Sequence, residues 1–178
     1  MSTKMNKALL AAAVVFGMSS LAHADEGHGK VTFTGSIIDA PCSIAPESVD
    51  QTVDLGQVSN AALKDGGQST PKNFNIKLEN CSFGTPAAKN KVAVTFTGME
   101  SVAGNGLLGI TGNAKGASVA ITDGAGEVIK LGQATKEQAL QDGNNSLNFA
   151  AYMQGDGASA TITEGDFQAV ADFTLAYN

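Results

Sequence analysis

The run that closes the sequence limits the fold more than any other feature. Gly165, Phe167, Ala169, Ala171, Phe173, Leu175 and Tyr177 occupy every second position, with Asp166, Gln168, Asp172 and Thr174 mostly filling the places between. A repeat of two is the repeat of a strand, so one face of this segment is apolar and meant for a core while the other meets water. The sequence stops at Asn178, one residue past Tyr177. No further strand is expected to follow it.

The remainder reads the same way. Further β-rich stretches fall at Lys30–Ile38, Phe74–Leu78, Lys91–Gly98, Ser118–Thr122, Glu127–Leu131, Leu147–Met153 and Ala158–Thr163. Between them Asp65-Gly66-Gly67, Asp123-Gly124, Asp142-Gly143-Asn144-Asn145 and Asp156-Gly157 supply residues that tolerate positive φ in tight turns. Short strands at this spacing predict an all-β sandwich or barrel. Gln133–Gln141 is the one stretch that reads as a helical turn or two.

The front of the chain reads as an export signal. Lys4 and Lys7 precede an apolar run from Ala8 to Ala22 that closes in the triplet Ala22-His23-Ala24, so cleavage is expected after Ala24. The run is interrupted by Gly17, Ser19 and Ser20 and falls short of the roughly 20 apolar residues that a membrane span needs. Residues 25–178 are enough for one domain. Removing residues 1–24 takes two lysines away and moves the formal net charge from −6 to −8, and all 11 basic residues are lysines. Nucleic acid and anionic membranes are poor partners for such a surface. The two cysteines, Cys42 and Cys81, lie in the exported part, where oxidising conditions favour a disulfide, and with two the pairing is forced. In the chain-entropy picture that bridge contributes about 4 kcal/mol.

Residues 25–38 form a second stretch outside the disulfide loop. A polar leader, Asp25 to Lys30, gives way to Val31, Phe33, Gly35 and Ile37 alternating against Thr32, Thr34, Ser36 and Ile38. Period-two patterning does not reveal which sheet such a strand joins. Then come Asp39-Ala40-Pro41-Cys42-Ser43-Ile44, the strand Val53-Asp54-Leu55-Gly56, the second cysteine, and a terminal strand with tyrosine next to the end and Gly165 fourteenth from it. In this combination the chain resembles the major pilins of chaperone-usher fimbriae, of the type 1 and P kind, over nearly all of residues 25–178.

The resemblance implies an incomplete immunoglobulin-like sandwich over residues 39–178 that lacks its final strand. It implies that Gly165, Phe167, Ala169, Ala171, Phe173, Leu175 and Tyr177 form the acceptor groove and the strand that a periplasmic chaperone recognises. Val31, Phe33, Gly35 and Ile37 would be the donor strand that fills the groove of a neighbouring copy, a mode known as β-augmentation. Other copies of the chain, the chaperone, an outer-membrane usher and adaptor or tip subunits are the partners expected, and a cell-surface fimbrium used in adhesion the destination.

Catalysis finds little footing. His28 is the only histidine after Ala24 and lies in the leader, so neither a Ser-His-Asp nor a Cys-His arrangement is expected, and no cofactor or metal site is expected either. Gly104-Asn105-Gly106-Leu107-Leu108-Gly109 fits a dinucleotide fingerprint letter by letter and Glu127 lies at a suitable distance beyond it, yet no helix is predicted to open there to hold a pyrophosphate. That segment reads as a mobile loop. Asp142-Gly143-Asn144-Asn145 lacks the spaced acids of a calcium loop and reads as a turn. The alternatives to a rod subunit are a minor adaptor and a tip adhesin that binds host glycans. The short stretch ahead of Cys42 leaves no room for a lectin domain, and a chain with 0 Trp and 2 Tyr makes a poor sugar platform.

Overall fold

A computed structural model describes residues 29–178. The expected export signal and His28 lie outside the described residues. The chain divides between Ile37 and Ile38 into two units.

In the first unit, residues 29–37 adopt no regular element. The second unit carries β1 (Ser43–Ile44), α1 (Pro46–Val49), α2 (Asn60–Leu63), a 3-10 turn (Lys64–Gly66), β2 (Lys72–Cys81), β3 (Lys91–Gly98), β4 (Thr111–Gly112), β5 (Ala117–Asp123), β6 (Val128–Ile129), β7 (Gln138–Ala139), β8 (Gly143–Gly155), β9 (Phe167–Gln168) and β10 (Ala171–Tyr177). Five strands form one sheet in the order β1-β2-β8-β5-β6, three form a second in the order β10-β3-β7, and β4 pairs with β9. Every pairing is antiparallel. The sheets are therefore stitched from neighbours that hairpins and crossovers return, as the all-β expectation requires.

Alternation decides which residues make the core. On β2, Ile76 and Leu78 are buried while Lys77 is exposed; on β8, Leu147, Phe149, Ala151 and Met153 are buried while Ser146 and Asn148 are exposed. Ile76, Leu78, Leu147 and Phe149 meet Val92, Val94 and Phe96 of β3 in one cluster, while Ala151 and Met153 join a second with Leu63, Leu108 and Val119. Phe74, Phe96 and Phe149 share its centre, the last two edge to face with centroids 5.2 Å apart. Such contacts add about 0.5–1.5 kcal/mol each beyond burial. Cys42 and Cys81 form a disulfide that fastens the chain beside β1 to the end of β2, and both lie in the same core.

Six expectations need correction. Lys30–Ile38 forms no strand, for residues 29–38 take no regular element. Gln133–Gln141 forms no helix: it runs extended along the edge of β3, with Thr135 donating to the Val94 carbonyl and Leu140 to that of Asn90, and with β7 inside it. An unfilled strand edge outbids the weak propensity of a short helix there. Ala158–Thr163 is not a strand but a turn, Ala160 donating to Gly157, followed by one bridge from Thr163 to Lys115. Val53–Gly56 takes no regular element and pairs with no strand among the described residues. Phe167–Tyr177 is two strands, because β9 pairs with β4 and β10 with β3. Residues 104–109 are clasped rather than mobile: Leu107 and Leu108 are buried, and Leu108 exchanges both backbone bonds with Val119 at 2.8 and 3.0 Å.

Candidate functional site

β10 lies at the edge of its sheet, and its register shows what that edge presents. Ala171 stands opposite Gly98 and Tyr177 opposite Val92, and just beyond them Asn178 and Lys91 exchange two backbone bonds of 2.9 and 3.0 Å. Bonding and non-bonding pairs alternate along an antiparallel ladder. Ala176, Thr174 and Asp172 are therefore the residues that bond β3. Ala171, Phe173, Leu175 and Tyr177 turn their N–H and C=O groups the other way, where no strand among the described residues stands.

The same four residues aim their side chains at the core and are only half-buried. Beside them opens a cleft of ≈ 1210 Å³. Its floor comes from both sheets, with Phe74 and Ile76 of β2, Val119 of β5, Met153 of β8, and Phe96 and Phe173. One wall is residues 162–173. The other is residues 48–58, the end of α1 and the irregular segment that follows it, whose Val53, Leu55 and Val58 are half-buried. From Gln51 to Val58, among the described residues, no backbone group takes a backbone partner; Gln51 holds the segment in place by donating its side-chain amide to the Asn75 carbonyl at 3.2 Å. The trough thus has an apolar floor, one free strand edge and, opposite it, a second run of chain without backbone partners among the described residues.

Gly165 anchors the near wall. Its φ is 149°, and a Cβ there would lie 2.7 Å from Asn113 Cβ and 2.9 Å from the Ala114 nitrogen. The missing side chain lets Asp166 O accept from the nitrogens of Asn113 and Ala114 at 3.0 and 3.2 Å. Of the residues expected at the groove, Gly165, Phe167, Ala169, Ala171 and Phe173 line the cleft, whereas Leu175 and Tyr177 continue the strand past its end and pack on the main core. The Tyr177 hydroxyl is buried without a hydrogen-bond partner among the described residues, and desolvation raises its pKa above the ordinary 10.0. Sequence reading did not assign segment 48–58 to the site, although the spacing of Val53, Leu55 and Val58 was the available signal.

The first unit, taken by itself, shows Val31, Phe33 and Ile37 75%, 90% and 104% exposed. A Cβ on Gly35 would meet no atom of the described residues within 4 Å. Three large apolar side chains thus stand in water within one short segment.

Known proteins resemble this chain over most of its length. The profile of the family described as Fimbrial protein matches residues 31–178. The Fimbria A protein of Serratia marcescens is 65% identical over 98% of this chain and 99% of its own length. The major MR/P fimbria protein of Proteus mirabilis is 52% identical over 98% and 99%. Among solved structures, the P pilus rod subunit PapA is 35% identical with a TM-score of 0.69 over 78% of this chain and all 100% of that one. A chain from a chaperone-usher pilus structure concerned with rod uncoiling is 36% identical with a TM-score of 0.75, over 86% and 97%.

Proposed function

Because the chain belongs to the fimbrial protein family, as a structural pilin of the chaperone-usher type and not an enzyme, we propose that it builds a surface filament by accepting an extended strand into the cleft beside β10. A periplasmic chaperone supplies that strand first. At the outer-membrane usher, residues 25–38 of another copy replace it, and residues 1–24 serve only to export the chain. Adaptor and tip subunits join the same filament, which carries the cell's adhesion.

The observation that carries this reading is the double vacancy on β10, where the residues with half-buried side chains are also those with unpaired backbone groups. An incoming strand fills both at once. Val31, Phe33 and Ile37 contribute about 1.5–3 kcal/mol each when fully buried, and each new backbone bond adds about 0.5–1.5 kcal/mol. Gly35 is the donor position that lets the strand's backbone approach the groove floor.

The test is direct. A synthetic peptide of residues 25–38 is added to the chain freed of any chaperone, and unfolding by denaturant is followed. A higher midpoint is expected, and a peptide carrying Gly35→Leu is expected to give none of that gain. A free subunit that is already a stable monomer, with no peptide effect, would overturn the proposal.

A further inference from the structure

Asn105-Gly106 is the one Asn-Gly pair of the sequence, and its surroundings are arranged about the peptide bond that joins the two residues. The Gly106 N–H donates to Glu100 Oε1 at 3.0 Å. The Asn105 carbonyl oxygen accepts from the Lys130 ammonium. Carboxylate on the nitrogen and ammonium on the oxygen both favour loss of the amide proton. Meanwhile the Asn105 side chain folds over Gly106, its Oδ1 accepting from the Leu107 N–H at 3.0 Å. That bond polarises the side-chain carbonyl, whose carbon is by covalent connectivity one five-membered ring closure from the Gly106 nitrogen. Gly106 has φ 73° and no side chain to obstruct an approach.

A nucleophile, its base, and an electrophile with a donor on its oxygen are thus assembled from four residues and one turn. We infer that Asn105-Gly106 is a self-modification site, at which the chain's own backbone converts Asn105 to aspartate and isoaspartate. The Gly106 nitrogen attacks Asn105 Cγ while its proton passes to Glu100. The Cγ–Nδ2 bond breaks, and ammonia leaves with that proton. Water then opens the resulting five-membered imide at either carbonyl, giving aspartate from one side and isoaspartate from the other. No oxidant or reductant enters.

The consequence is local and cumulative. Isoaspartate lengthens the backbone by one carbon where Leu131 donates to the Gly106 carbonyl at 2.9 Å and where Leu107 is buried. It also sets a new carboxylate beside Glu100. The clasp of residues 99–109 therefore loosens as the protein ages, one molecule at a time.

The purified full chain is held at neutral pH, and the peptide containing residue 105 is followed by mass spectrometry with fragmentation that separates aspartate from isoaspartate. Asn105 is expected to react faster in the folded chain than in urea. Glu100→Gln is expected to slow the folded chain about tenfold, below the 10²–10⁴ of a positioned base because Glu100 is exposed. In urea the variant and the parent should react alike, which separates the base from any effect on folding. Lys130→Gln should slow the folded chain to a smaller degree. A folded chain that keeps its Asn105 amide, or a Glu100→Gln variant that reacts at the parent rate, overturns the inference. So does a lasting loss of ammonia with Lys130 covalently joined to Asn105, which would make the lysine the nucleophile.

Discussion

Phe96 and Phe173 stand directly opposite each other on neighbouring antiparallel strands, with ring centroids 6.4 Å apart. Both face the same core, yet Phe96 is 3% exposed and Phe173 is half-buried. The residue type, the strand geometry and the cluster are shared. What differs is that β3 has a strand on each side while β10 has one. Burial in this sandwich is thus set by how many neighbours a strand has, not by how apolar it is. β10 carries the sequence of an interior strand in the position of an edge, a combination that invites another chain.

The largest effect that would break this contrast comes from truncating the two rings. Phe96→Ala should cost the free subunit about 3–5 kcal/mol, and Phe173→Ala about 1–2 kcal/mol, since much of its transfer term is missing. Denaturant unfolding measures both, and with the cleft occupied by a peptide of residues 25–38 the two costs should converge. Equal costs in the free subunit would show that β10 is already complete. Gly165→Ala should rank next, costing about 1–3 kcal/mol through a strained φ and a contact with the Asn113–Ala114 backbone. Its cleft should bind the peptide more weakly as well. A neutral result would remove Gly165 from the wall.

The smallest effect sharpens the comparison at the far end of β10. Tyr177→Phe removes a buried hydroxyl that has no partner, so the free subunit should change by less than about 1 kcal/mol. The phenol's folded pKa is raised above its unfolded value of 10.0 by desolvation. Its contribution is therefore complete below pH 10 and is lost as pH rises from there through the folded value. Urea titrations on the alkaline side should show that decline in the parent and lose it in Tyr177→Phe.

The strands that could be read from sequence are those whose own residues settle their environment. Lys91–Gly98 sets Val92, Val94 and Phe96 on one face, and the structure gives β3 the same limits. Phe74–Leu78 and Leu147–Met153 mark the centres of β2 and β8. The failures share a cause, for in each a distant partner outweighs local pattern. Gln133–Gln141 is drawn along the edge of β3, and Leu107 is pulled under its loop by Ala120 and Tyr152 on the outer face of the large sheet. Val53 and Leu55 alternate like strand residues but line a cleft in place of pairing. Half of the candidate site, the β10 wall, is legible from its period of two. The opposite wall is not, because a segment that awaits a hydrogen-bond partner has nothing in its own sequence to say where that partner lies.

One property of β10 sets a rule of phase for whatever occupies the cleft. Its inward side chains and its outward backbone groups belong to the same alternate residues, so an incoming segment has to match both rows with one alignment. Slipping by two preserves each match at shifted positions; slipping by one turns every apolar group toward solvent. The cleft therefore reads parity before it reads identity, and a single inserted residue anywhere in a candidate segment is a graver error than several exchanged ones.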